Sequence, residues 1–101
     1  MTDTAETTEV GTLQEVLAAL SDPVRLEMVR RMHAEGGPAP CARLYDEVSK
    51  STASHHFKIL REAGVTNRSV IGGQTHQELR LDDVEATYPG VLSSILAAPA
   101  R

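Results

Sequence analysis

The chain has no tryptophan, one phenylalanine (Phe57), two tyrosines (Tyr45 and Tyr88) and one cysteine (Cys41) among its 101 residues. With aromatics so scarce, the core must be aliphatic. A domain of this size buries only roughly 60–70% of its unfolded surface, so a partner subunit is expected to complete part of that core. A lone cysteine excludes an internal disulfide. No apolar run approaches the ~18 residues a bilayer span requires. The opening MTDTAETTEV is acidic and lacks the hydrophobic region of an export signal. A cytoplasmic protein with no membrane partner is the expectation. A glycine-rich phosphate loop, a serine elbow and a complete metal triad are also missing, so nothing points to an enzyme.

What is present is unevenly spread. Net charge is −4, which taken alone argues against a polyanionic partner. Residues 1–20 carry −4, residues 21–48 carry −1 and residues 81–101 carry −2, whereas residues 49–80 carry +3. Positive charge is concentrated in Lys50, Lys58, Arg61, Arg68 and Arg80, and a local basic face matters more than the sum for a nucleic-acid ligand.

Residues 1–10 are polar and acidic and are expected to form a disordered arm ahead of one domain over residues 11–98. Leu13, Val16, Leu17 and Leu20 recur at helical spacing. Asp22 caps a second helix with Pro23 in its first turn, where a missing N–H costs nothing. Val24, Met28, Val29 and Met32 carry that helix to a stop at Gly36-Gly37-Pro38. A short third helix is expected from Ala39 or Pro40 to Glu47. Ser49 then caps a fourth, which runs through Ala63 and ends at Gly64. VTNRSVI and QTHQELRL flank Gly72-Gly73 and read as a β-hairpin. Val84, Tyr88, Val91, Leu92, Ile95 and Leu96 return to helical spacing, and Pro89 divides them into a turn at 82–87 and a longer helix at about 89–98. The order α-α-α-α-β-β-α is mainly α with a β-hairpin wing: a winged helix-turn-helix.

The stretch STASHHFKIL, residues 51–60, places two histidines side by side. At 100° per residue, Ser51, Ser54, His55, Lys58, Arg61 and Glu62 share one side of the fourth helix, while Ala53, His56, Phe57, Leu60 and Ala63 share the other. The second helix of a helix-turn-helix turns its exposed side to the DNA major groove. Lys50, Ser51, Ser54, His55, Lys58 and Arg61 are therefore the candidate DNA contacts, with Arg68 reaching phosphate or minor groove from the wing. His56 is expected to be structural and hydrogen-bonded within the domain. Adjacent helical histidines are poor joint chelators, because one metal ion wants partners at i and i+4.

The blocks ALSDPVRLEMVRRM and SKSTASHHFKILREAGV, followed by a glycine-turned hairpin ending in LRL, resemble the ArsR/SmtB family of bacterial winged-helix repressors. The resemblance spans roughly residues 13–96. It implies a homodimer joined by the first and last helices, through Leu13, Val16, Leu17, Leu20, Val91, Leu92, Ile95 and Leu96. It further implies a double-stranded DNA operator with an inverted repeat, and a repressor released by an effector.

Many members of that family sense metals, and their ligand positions are poorly matched here. One family site uses a Cys-x-Cys pair at the start of the third helix, where PAPCARLYDE supplies Cys41 alone. A second pairs ligands early and late in the last helix. Asp82, Asp83 and Glu85 are present, but VLSSILAAPAR adds neither histidine nor carboxylate. No cofactor is therefore required. Three alternatives stay open: a Ni²⁺ or Zn²⁺ site with oxygen and nitrogen ligands drawn from Asp82, Asp83, Glu85 and His76, a thiol switch at Cys41, and a winged helix that binds protein instead of DNA.

Overall fold

The computed structural model describes residues 8–99. Helix α1 (Leu13–Leu20) begins at a capping box, in which Thr12 Oγ1 accepts from the Glu15 amide and Glu15 Oε1 accepts from the Thr12 amide at 2.8 Å. Helix α2 (Pro23–Glu35) starts at Asp22, whose carboxylate accepts from the amides of Val24 and Arg25 at 2.7 and 3.2 Å. Helix α3 (Lys50–Glu62) starts at Ser49, which accepts from the Thr52 amide at 3.1 Å. At each start, amides that a helix leaves unpaired are met by a short polar side chain.

Strands β2 (Thr66–Ile71) and β3 (Gln74–Leu79) form the wing. Both turn glycines have positive φ, 59° at Gly72 and 78° at Gly73, as a type I′ hairpin turn requires. A short strand β1 (Ala39–Pro40) pairs antiparallel with β3 through Ala39–Gln77 and Pro40–His76, giving the sheet order β1-β3-β2. Helices α4 (Leu81–Thr87) and α5 (Val91–Ala97) close the chain. Together these elements form a winged helix-turn-helix, with five α-helices and a three-stranded antiparallel sheet among the described residues. None of these helices is long and apolar enough to cross a membrane.

Two expected elements are corrected. The third helix expected over 39–47 is strand β1 followed by a single 3-10 turn, Cys41–Arg43. Pro40 has no amide to donate and drives Ala39 into extended backbone, so the segment serves as a sheet edge, where proline is tolerated. The last helix is not longer than the turn before it: α4 and α5 are seven residues each, parted at Pro89-Gly90.

The core is aliphatic as the composition demands. Val16, Ala19 and Leu20 of α1 meet Met28, Val29 and Met32 of α2, Phe57 and Leu60 of α3, and Val84 and Leu92 from the last two helices. Tyr45 meets Phe57 edge-on, with ring centroids 6.1 Å apart. Most of the expected N-terminal arm lies outside the described residues, but its end, residues 8–10, lies against the domain. Arg80 Nη1 donates to the carbonyls of Thr8 and Gly64, the Gly11 amide donates to Ala63, and Val10 packs on the core.

Candidate nucleic-acid interface

Because Ser49 fixes where α3 begins, it also fixes which residues look outward. Ala53, Phe57 and Leu60 are buried, while Lys50, Ser51, Ser54, His55 and Lys58 are exposed and Arg61 is half-buried. The wing rises beside this face through packing of α3 on β2, and Arg68 is exposed on β2. Between helix and wing lies an open cleft of about 640 Å³. Lys50, Lys58, Arg61 and Arg68 all line it, together with Ser54, and among the described residues no carboxylate does. Lys58 approaches Glu62 only at 4.0 Å, with both side chains mostly in solvent, which ties up little of its charge. Ser51 and His55 stand outside the cleft on the same exposed face of α3.

One of the five cations of this segment does not belong to the basic face. Arg80 is only 8% exposed, and its guanidinium donates to Asp83 at 3.1 Å as well as to the Thr8 and Gly64 carbonyls. It is a structural tie, and composition alone could not separate it from the surface arginines.

The two histidines part as helical geometry requires. His55 is exposed, whereas the His56 Nδ1 lies 3.0 Å from Arg25 Nη1. A guanidinium only donates, so Nδ1 is the acceptor in this bond and any proton of the neutral ring sits on Nε2. Arg25 also donates from Nε to the Ala19 carbonyl at 2.7 Å, so one side chain joins the end of α1 to the middle of α3. Asp22 sits next to this link. Burial pushes its carboxyl upward, but the amides of Arg25 and Val24 and the nearby Arg25 charge hold it below the ordinary carboxylate value. Arg25 was not singled out in the sequence, where it carried only its place in the SDPVRL block.

A helix-turn-helix domain family matches residues 20–68, which span α2, α3 and the first half of β2. HTH-type transcriptional regulator YceK of Bacillus subtilis is 34% identical over 83 residues, covering 80% of this chain and 83% of that protein. An HTH-type transcriptional regulator of Methanocaldococcus jannaschii is 40% identical over 53 residues, covering 50% of this chain and 58% of its own length. The chain belongs to the family of helix-turn-helix transcriptional regulators.

The residues of this regulator considered for metal binding lie in separate surroundings. Asp83 pairs with Arg80. Glu85 accepts from the amides of Gly90 and Ser93, both at 2.9 Å. His76 Nδ1 meets the Gln74 carbonyl at 2.9 Å on the hairpin. Asp82 is exposed on α4. Among the described residues no three His, Cys, Asp or Glu side chains converge as a metal site needs.

The residues expected to join two subunits divide into two sets. Val16, Leu20 and Leu92 are buried in the regulator's own core. Leu13 and Leu17 are 39% and 43% exposed, and Val91, Ile95 and Leu96 are more exposed than that core set.

Proposed function

We propose that the chain is a dimeric, sequence-specific DNA-binding transcriptional regulator, a repressor of the ArsR/SmtB type. The observation that carries this reading is the cleft between α3 and the wing, lined among the described residues by four cations and no carboxylate, in a chain of net charge −4. In this reading the exposed face of α3 enters the major groove. Ser51, Ser54 and His55 meet base edges there, while Lys50, Lys58, Arg61 and Arg68 meet phosphates. Leu13 and Leu17, with Val91, Ile95 and Leu96, supply apolar surface for a second copy. Two α3 helices would then stand about 34 Å apart, one turn of an inverted-repeat operator. Such a regulator works in the cytoplasm and performs no catalysis.

The reading requires no resident metal, since Asp83 and Glu85 already serve Arg80 and the start of α5. Calorimetric titration of the purified chain with Ni²⁺ and Zn²⁺ tests this, and a stoichiometric, saturable heat would overturn it. Fluorescence anisotropy against genomic fragments over a salt series tests DNA binding. Affinity should fall steeply with salt, because binding at each phosphate releases counterions. Failure to retain any fragment at low salt would sink the DNA reading.

A further inference from the structure

The large apolar side chains most exposed among the described residues are at the tip of the wing. Val70 and Ile71, the last two residues of β2, are 61% and 49% exposed, against 39% and 43% for Leu13 and Leu17. They lead into the Gly72-Gly73 turn, where an added Cβ would meet nothing within 4 Å. The tip is thus a bare two-stranded ribbon with apolar shoulders. From Ser69 to Gln77 it carries no lysine, arginine, aspartate or glutamate. β-Branched residues suit any strand, but threonine suits one too, so strand formation alone does not call for bare hydrocarbon in water.

Register places this hydrocarbon beside the cationic cleft. Val70 pairs with Thr75 and Ile71 with Gln74. Gly73, Gln74 and Thr75 line the cleft together with Arg68. Directly paired residues emerge on the same face of a sheet, and residues i and i+2 of a strand share a face. Val70 therefore follows Arg68 on the cleft side, one step nearer the tip. The cleft runs from cations beside α3 to hydrocarbon at the end of the wing.

We propose that Val70 and Ile71 form an apolar wedge that enters the DNA minor groove and packs on its deoxyribose walls, beside the strand whose phosphates occupy the cleft. This contact rests on the DNA reading above and differs in kind from the contacts named there. A turn without side chains is the narrowest leading edge a hairpin can present, and the minor groove is only about 6 Å wide. Proteins that bind this groove use apolar side chains as wedges against its base steps. The tip bears no cation, so the wedge releases no counterions, and the affinity it adds does not depend on salt. The guanine amino group stands in the floor of the minor groove, where A·T pairs leave room. The wedge therefore favours A·T-rich flanks at positions that α3 does not reach.

The test uses the full chain carrying Val70→Thr and Ile71→Thr together, which keeps β-branching at both positions. Thermal melts should match the parent. Fluorescence anisotropy on a duplex that the parent retains should show binding weakened about tenfold, from the apolar burial lost, at an unchanged salt slope. A second duplex carries inosine in place of guanine in its flanks, which removes the minor-groove amino group and leaves the major-groove face as it was. The parent should bind the inosine duplex at least about threefold more tightly, and the threonine variant should bind both duplexes alike. Undiminished binding by the variant, or a flatter salt slope, would overturn the wedge. Equal binding of the guanine and inosine duplexes by the parent would place the tip outside the minor groove and overturn it too. A variant that loses self-association in sedimentation without DNA would give this surface to a second copy instead. If the parent retains no duplex at low salt, the DNA reading falls and the wedge falls with it. If Lys58→Ala weakens binding and the threonine variant does not, the wedge alone falls.

Discussion

Helix α3 and the two helices α1 and α5 each carry an apolar stripe, yet they use it differently. In α3 the stripe of Ala53, Phe57 and Leu60 is consumed by the core, and what remains outside is polar and cationic. In α1 and α5 the core takes Val16, Leu20 and Leu92, and apolar residues still remain outside, Leu13 and Leu17 among them. A stripe no wider than the core can absorb marks a helix that faces water or a polar ligand. A wider stripe leaves surface for another protein surface. Helices of eight and seven residues spend part of their apolar spacing on their own core.

Two leucines put this distinction to its sharpest test. Leu92→Ala empties a fully buried position and should cost roughly 2–5 kcal/mol, a destabilisation in denaturant melts that does not depend on protein concentration. Leu17→Ala should change the subunit's own stability by only about 0.5 kcal/mol and weaken self-association instead. Its effect on Tm would then vary with protein concentration, and sedimentation would show a larger monomer fraction. Equal, concentration-independent destabilisation in the two variants would erase the contrast.

The turn between α3 and the wing should respond almost as strongly. Gly64 has φ 79°, and a Cβ there would lie 2.5 Å from the Glu9 carbonyl oxygen and 2.6 Å from the Val10 Cα. Gly64→Ala thus meets a strained backbone and a backbone clash together, at about 2–3 kcal/mol. Gly72→Ala shares the positive φ but meets nothing within 4 Å, and about 1 kcal/mol is expected. Thermal melts of the two separate conformational strain from the pressure of the N-terminal segment on this turn.

The Gly64 contrast also shows what the sequence could express. Caps are local chemistry, so Asp22, Ser49 and the Gly72-Gly73 turn were legible from a few neighbouring residues, and with them the outward face of α3. The fate of residues 39–47 was not, because spacing suggested a helix while Pro38 and Pro40 and the pairing to β3 made an edge strand. Long-range ties were equally silent. Nothing near Arg80 in sequence indicates that it reaches Thr8, or that Arg25 reaches His56, since those partners are 72 and 31 residues away. The exposed face of α3 follows from spacing along one helix, whereas the approach of Cys41 to Gln77 joins a turn to a strand 36 residues away.

On the polar side of the comparison, single substitutions should alter DNA binding with little effect on folding. Lys58→Ala and Arg68→Ala should each weaken binding to all sequences and flatten the salt slope by about 0.9. Ser54→Ala and His55→Ala should keep the slope and reduce discrimination between a specific site and its mismatched variants by about 1–3 kcal/mol. Anisotropy across salt and across competitor sequences distinguishes the two patterns. A change of slope with His55→Ala would move that residue from base reading to phosphate contact.

The smallest effect is expected at Glu85, where α4 meets α5. Its carboxylate accepts from the Ser93 and Gly90 amides, and these bonds hold its pKa below the ordinary value. A depressed carboxyl pKa means that the folded state binds its proton less readily than the unfolded state. The stabilisation is complete above the unfolded value and disappears as pH falls through the folded one. Glu85→Gln keeps an acceptor for the amides but cannot titrate, so it should melt slightly below the parent near pH 7 and converge with it in acid. If the difference between the two were the same at both pH values, the charge on Glu85 would not be what holds the short α4–α5 junction.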